Sequence, residues 1–377
     1  MDYIDEYFRQ KVDKITFIEL KKDTTTNIKG YPVDKDIPLP IITDTLVNGI
    51  VEGDMEEGIK LAHIMEGIIY LMGIDSQFTH MKDYENILMS YNTKAEEYIF
   101  YQGIKAMEED DYDKGSIYFR ALKHINPKNI NGIFNYALAL EGIAKRYLEE
   151  EQEDKGMKLL KKSTSELETI LDIDDKYPLA YYKLGYHYKF LGQYLKAKLI
   201  WTKHLTLDRD ELRLQEIRGE IELIENDVAL ETGLTYLSRE YFDKALDVFL
   251  KLLPKFDKWW ELRYLIGACY KGLSDLENAI DYFQESLELY KDNSDVYNEL
   301  GICLFTIGDM DRAIDVFTEG IENIPNDYKL IFNRGLCYLQ LGQLQDAYDD
   351  IKNAVDLNPN DESMNAQKAI LDNILEK

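Results

Sequence analysis

Cysteine, histidine and proline are scarce in this 377-residue chain, with 3, 5 and 8 copies respectively. So few thiols exclude a disulfide framework or a multi-cysteine zinc scaffold, and reduced cysteines suit a cytosolic chain. Basic residues are also short: 44 Lys+Arg against 71 Asp+Glu leave a formal charge of −27. A surface this acidic repels phosphate backbones and anionic lipid, so binding either would require a local basic patch. The densest cluster, Lys155, Lys158, Lys161 and Lys162, follows the acidic run 149–154. Opposite charges at helical spacing read as surface ion pairing. No run approaches the roughly 18 apolar residues of a spanning helix. The start, MDYIDEYFRQ, has neither the basic beginning nor the apolar core of a signal peptide. A soluble, cytoplasmic protein is expected, with no nucleic-acid or membrane partner.

What the chain has is self-similarity. Gly233, Gly267, Gly301 and Gly335 are each 34 residues apart, and Ala245, Ala279, Ala313 and Ala347 follow them at a constant offset of 12. Phe249, Phe283 and Phe317 add a third register, with Ile351 in the fourth copy. Earlier copies fit the frame through Gly185, Ala197 and Trp201, and more loosely through Gly103, Gly115 and Phe119. Within one copy, Tyr297, Leu300, Gly301 and Leu304 mark one face of a helix. Gly308-Asp309 supplies a turn, Ile314, Phe317 and Ile321 mark a second helix, and Ile324-Pro325 ends it. A glycine facing an alanine is expected to let the two axes approach closely.

The pattern Tyr297…Leu300-Gly301…Ala313…Phe317…Pro325 resembles the tetratricopeptide repeat in period, residue types and order. The resemblance implies an all-α fold: a right-handed α-solenoid of stacked helix-turn-helix repeats with N- and C-terminal capping helices. Residues 1–38 are expected as an N-terminal cap or linker, with Pro32, Pro38 and Pro40 marking an extended stretch. Residues 39–95 are expected to be helical, with room for a degenerate copy at 39–72 whose turn is Gly53-Asp54 and whose close-contact position is Gly58. The array then runs over 96–361. Its units are 96–129, a divergent 130–177 with an insertion, 178–211, 226–259, 260–293, 294–327 and 328–361. A helical extension, 212–225, precedes the fourth of these, and 362–377 closes the chain as a capping helix. The two insertions of 14 residues contain no proline and keep helical patterning, so lengthened helices are expected, the second running straight into Asp227. Such a projection either alters the curvature of the stack or offers a wall to a ligand.

Chemistry is hard to find. Cys269, Cys303 and Cys337 are also 34 apart. Equivalent positions on stacked helices lie about 8–10 Å apart, too far for a disulfide or a shared zinc, so these are packing residues. His63 and Glu66 sit three apart with no third ligand legible, and no metal or cofactor is expected. Carboxylate pairs such as Glu56-Glu57 read as solvated faces. No GxSxG, P-loop or GxGxxG is present, so the chain is expected not to be an enzyme.

The resemblance implies a binding role. In this family the first helices line the concave face, with the fifth repeat position pointing into it. That selects Phe100, Phe134, Tyr182, Leu230, Tyr264, Asn298 and Phe332, with Tyr186 one helical turn on and Lys189 and Lys271 beyond. Aromatics with a few lysines suit a peptide or protein partner bearing apolar side chains and an acidic or C-terminal group. The rings also suit plain packing between repeats. Some family members hold a terminal carboxylate with paired Lys and Asn; Lys329 and Asn333 match one half, but Asp295 and Glu299 in the preceding repeat would repel it. The function expected is a non-catalytic scaffold binding a peptide or protein partner. The alternative is a peptide-sensing regulator whose superhelix changes shape on binding. Self-association through exposed repeat ends is compatible with both.

Overall fold

The computed structural model describes residues 3–20, 26–51 and 59–375. Gly53-Asp54, Glu56-Glu57 and Gly58 fall outside the described residues. The fold is an all-α helical-repeat solenoid in class, with four short strands near its start. It divides into two compact units, one up to Arg218 and one from Gly219 onward.

The first unit opens with α1 (Tyr3–Arg9), β1 (Ile15–Ile18), β2 (Thr26–Ile28), β3 (Tyr31–Val33), β4 (Leu39–Ile42) and α2 (Thr43–Val51). β1 pairs antiparallel with β4, Ile15 opposite Ile42 and Ile18 opposite Leu39. β2 and β3 form a hairpin turning at Lys29 and Gly30, both with positive φ. The linker expected around Pro32–Pro40 is therefore corrected: Pro32 lies in β3, Pro40 lies in β4, and Ile37, Leu39 and Ile41 are buried. Each strand has only one partner, so proline removes no needed ladder bond. Likewise, residues 39–42 of the stretch expected to be helical are strand.

This sheet packs on α3 (Leu61–Ile74), whose residues from Ile64 onward are nearly all buried, as an apolar-all-round helix requires. A Cβ on Gly67 would lie 2.1 Å from the Pro40 carbonyl oxygen, so only glycine lets β4 run against the helix. α4 (Met81–Tyr91) follows, then the hairpins α5/α6 (Ala95–Glu108, Tyr112–Ile125), α7/α8 (Ile130–Glu149, Glu153–Ile173) and α9/α10 (Pro178–Phe190, Tyr194–Leu207). The N-terminus is tied down by charge. Asp113 on α6 accepts from Lys11 at 2.6 Å, Arg146 at 2.7 Å and the Tyr7 hydroxyl, while Arg120 lies over the Phe8 ring.

The first insertion lengthens α7 to 20 and α8 to 21 residues, against 14 each in α5 and α6. Within the extension a Cβ on Gly156 would lie 2.7 Å from Leu148, so the glycine seats that leucine between the two helices. The second insertion is α11 (Glu211–Leu223), but it does not run straight on. Ile224 (φ −91°, ψ 6°) separates it from α12.

The second unit holds the hairpins α12/α13 (Glu225–Ser238, Phe242–Leu252), α14/α15 (Trp260–Gly272, Leu276–Leu289), α16/α17 (Ser294–Ile307, Met310–Asn323) and α18/α19 (Tyr328–Gln340, Leu344–Leu357). α20 (Glu362–Leu375) closes it, burying Met364 and Leu371. Each hairpin turn passes through one left-handed residue: Glu240, Ser274, Gly308 and Gly342 here, Asp110, Glu151 and Gly192 in the first unit. Asp275 and Asp309 then cap the second helices by accepting from backbone N–H groups three residues on.

The repeat glycine faces a different partner from the expected alanine. A Cβ on Gly103, Gly233, Gly267 or Gly301 would strike Phe119, Phe249, Phe283 or Phe317, and one on Gly185 would strike Trp201, all within 2.8 Å. The glycine opens a slot for the aromatic ring sixteen residues later, and the ring is what holds the hairpin shut. Cys269, Cys303 and Cys337 are buried and unpaired, filling small interior sites as expected.

Candidate functional site

The fifth-position residues divide by what their rings touch. Phe100 stands 5.9 Å from Phe119 and Tyr264 stands 5.7 Å from Phe283, centroid to centroid, so each leans on the slot-filling ring of its own hairpin. Phe134 meets Tyr177 edge-on at 5.7 Å. Phe332 packs against the buried clusters that hold Val355 and Ile351, and Leu230 against the one that holds Phe249. All five are partly buried, so much of each ring works as packing. Asn298 instead accepts a hydrogen bond from Asn333 at 2.7 Å, and Lys271 pairs with Glu299, linking first helices of adjacent repeats.

Tyr182 and Tyr186 form the densest cluster. They lie one turn apart on α9, rings 5.3 Å apart, and both hydroxyls donate to Glu216, Tyr182 at 2.9 Å. Burial, then Glu216, raises the Tyr182 phenol above its ordinary value, so it stays a neutral donor. Tyr186 also meets Trp201 edge-on at 5.1 Å, which fixes its ring.

Tyr186 and Lys189 in addition line a cavity of about 780 Å³ within the first unit. Its walls come from Leu138 and Leu148 on α7, Phe190 on α9, Met107 and Tyr112 at the α5/α6 turn, and Leu160 on α8. Lys145, Lys183, His187 and Glu141 supply its polar groups. Lys183 donates to Glu141 Oε1 at 2.8 Å, and His187 Nε2 faces Glu141 Oε2 at 3.5 Å. Burial alone would raise the Glu141 carboxyl, but His187 and Lys183 hold it down at about 2, so it is a carboxylate throughout the neutral range.

Of these residues, the sequence frame selected only Tyr186 and Lys189. Lys183, His187 and Glu141 sit outside the fifth and ninth positions, and Leu148 belongs to the insertion. The one signal available was the insertion itself, which the spacing marked as a wall. Among the described residues, no group of three or more His, Cys, Asp or Glu side chains is placed to hold a metal ion. Glu66, the neighbour of His63 in sequence, accepts from the Tyr98 hydroxyl at 2.6 Å. No described helix is long and apolar enough to cross a membrane.

Two family profiles, each described as Tetratricopeptide repeat, match residues 270–328 and 328–361. The chain is a tetratricopeptide repeat protein. That class is one of protein-interaction scaffolds. No curated protein matches it. Among solved structures it is similar to YrrB, a TPR protein with an unusual peptide-binding site, at 20% identity over 54% of this chain and 97% of that one, TM-score 0.39. It is similar to MamA at 20% identity over 45% and 94%, TM-score 0.37. The first TPR of Spaghetti (RPAP3), bound to the HSP90 peptide SRMEEVD, aligns at 16% identity over 31% and 94%, TM-score 0.30.

Proposed function

We propose that this protein is a non-catalytic scaffold that captures a peptide or partner segment on the face presented by its first helices. The observation that carries the reading is the Tyr182–Tyr186–Glu216 cluster. Two rings with fixed orientation and incomplete burial offer apolar area at low entropic cost, and their hydroxyls remain at a polar rim. In the second unit, Tyr264 with Lys271, and Asn298 with Phe332, supply the same mixture of ring and polar group.

The test is affinity capture with the wild type against Tyr182→Ala, Tyr186→Ala and Tyr264→Ala combined. A specific partner is expected to vanish while helicity and melting temperature change little. Retention of every captured partner by a folded variant would overturn the reading.

A further inference from the structure

The cavity in the first unit exists because two neighbouring hairpins end at different levels. The α5/α6 turn stops against Gly142, where a Cβ would lie 2.4 Å from the Tyr112 ring, while α7 continues to Glu149. Lys183 meets Glu141 at one end of the gap between α7 and α9, and Leu148 and Phe190 line the other. Each helix advances seven residues between these two pairs, about 10 Å at 1.5 Å per residue, so the helices form parallel sides of a trough. Charge along it is uneven. Lys145, Lys183 and Lys189 face it with one carboxylate, Glu141, in a chain whose acids outnumber its bases 71 to 44. Lys183 directs one of its three N–H donors at Glu141, leaving two for another acceptor. His187, 3% exposed, steadies that carboxylate: its Nδ1 lies 3.0 Å from Thr164 Oγ1 and its Nε2 faces Glu141 Oε2 at 3.5 Å. The other end has the opposite sign. There Glu151 and Glu153 share an adjoining depression of about 450 Å³ with Leu148 and Phe190.

We propose that this cavity binds an aliphatic monocarboxylic acid of medium chain length, its carboxylate on Lys183 and its hydrocarbon chain running toward Leu148 and Phe190. The inference goes beyond the peptide-binding reading and does not rest on it. The walls decide against a peptide. Leu138 to Lys145 on α7 and Lys183 to Tyr186 on α9 are helix interior, so their backbone groups are already paired. A main chain laid along them would give up its bonds to water without replacement, whereas a hydrocarbon chain has no such groups to satisfy. Met107, Leu138, Ala144, Leu148, Leu160 and Phe190 offer that chain apolar area, and a volume of about 780 Å³ is that of a small-molecule site. The Phe190 ring, 59% exposed, gains cover at the rim. Charge then sets the number of heads. The ammonium groups favour an anion at the Glu141 end, and Glu151 and Glu153 repel a second one at the other, so a dicarboxylic acid of equal length is rejected. The trough owes its length to the extended α7, so the insertion is what makes the site.

Isothermal titration calorimetry on the full chain compares decanoate, decanol and decanedioate. Decanoate is expected to bind about tenfold tighter than either, the worth of a charge-assisted hydrogen bond. The preference over decanol is expected to vanish in Lys183→Met and to persist in Lys183→Arg. Phe190→Ser, at an exposed position, is expected to weaken acid and alcohol alike by about fivefold. Equal binding of decanoate and decanol by the wild type would overturn the proposal, as would the absence of any decanoate binding at millimolar concentration. Decanedioate binding as tightly as decanoate would also overturn it, since the glutamates would then not bound the trough. So would an acetylated Leu-Leu-Phe amide that displaces decanoate, by showing that these walls accept a peptide backbone. The ligand comparisons use the wild type alone, so a variant that fails to fold leaves the test intact.

Discussion

The Phe317 ring occupies the space that a side chain on Gly301 would need: a Cβ there would lie 2.3 Å from the ring. Gly301→Ala therefore forces the ring or the helix to move. A net loss of about 1–3 kcal/mol is expected, because overpacking outweighs the better helix propensity of alanine. Gly219 in α11 is the control, with nothing within 4 Å of its missing Cβ. Gly219→Ala is expected to gain about 0.5–1 kcal/mol. Urea unfolding followed by circular dichroism measures both, and equal effects at the two sites would refute the slot.

The N-terminal attachment should weaken in acid. Burial alone would raise the Asp113 carboxyl, but Lys11, Tyr7 and Arg146 lower it to about 2. A depressed carboxylate contributes stability that is fully present above its unfolded pKa, near about 3.9, and lost as pH falls through the folded value. The contribution, on the order of 2 kcal/mol, is expected to disappear between about pH 4 and pH 2. Asp113→Asn should reproduce that loss at neutral pH. Hydrogen exchange of α1 amides reads it, and unchanged protection in the variant would show that apolar packing alone holds the helix.

Burial raises the thiols of Cys269, Cys303 and Cys337, to about 12, 11 and 11. The thiolate is the reactive form, so none should react with a disulfide reagent at about pH 8 while the chain is folded. All three should react in denaturant. Rapid modification of any one in native buffer would contradict its placement.

Ser274 holds a left-handed conformation (φ 63°) at the turn position where Gly308 and Gly342 stand in the next two hairpins. Ser274→Gly relieves that strain at the cost of a freer unfolded chain, for an expected net gain of about 0.5 kcal/mol. Gly308→Ala should lose about 1 kcal/mol by the same reasoning. Thermal melts compare the pair, and a destabilised Ser274→Gly would indicate that the serine side chain supports the turn.

The hairpins were legible because Gly, Ala and Phe recur in one register, and each recurrence answers to a contact. The partner of the glycine was misread. Spacing reports that two residues share an interface without saying which side chain fills the gap, so Ala245 or Ala279 looked as suitable as Phe249 or Phe283. The strands near the start were not legible. Ile15–Ile18 is too short to separate helix from strand, and Pro38 and Pro40 signal a loop until Gly67 admits the backbone beside them. The cavity escaped for a related reason. Lys183 and His187 lie between the register positions, and Glu141 comes from the divergent copy, where the frame is weakest. The tyrosines of α9 were legible as rings at the fifth and ninth positions, but Glu216, which joins them, lies in the extension outside any repeat.

In the hairpins closed by Phe119, Trp201, Phe249, Phe283 and Phe317, the ring that fills the glycine slot comes from that hairpin's own second helix. A fault at one such ring therefore opens a void at a single address. The adjoining hairpins keep their own closures intact, so sequence drift in one copy need not be answered by a matched change in the next. This explains how a copy as divergent as 130–177, which carries no aromatic of this kind, persists among regular ones and is free to become something other than a spacer.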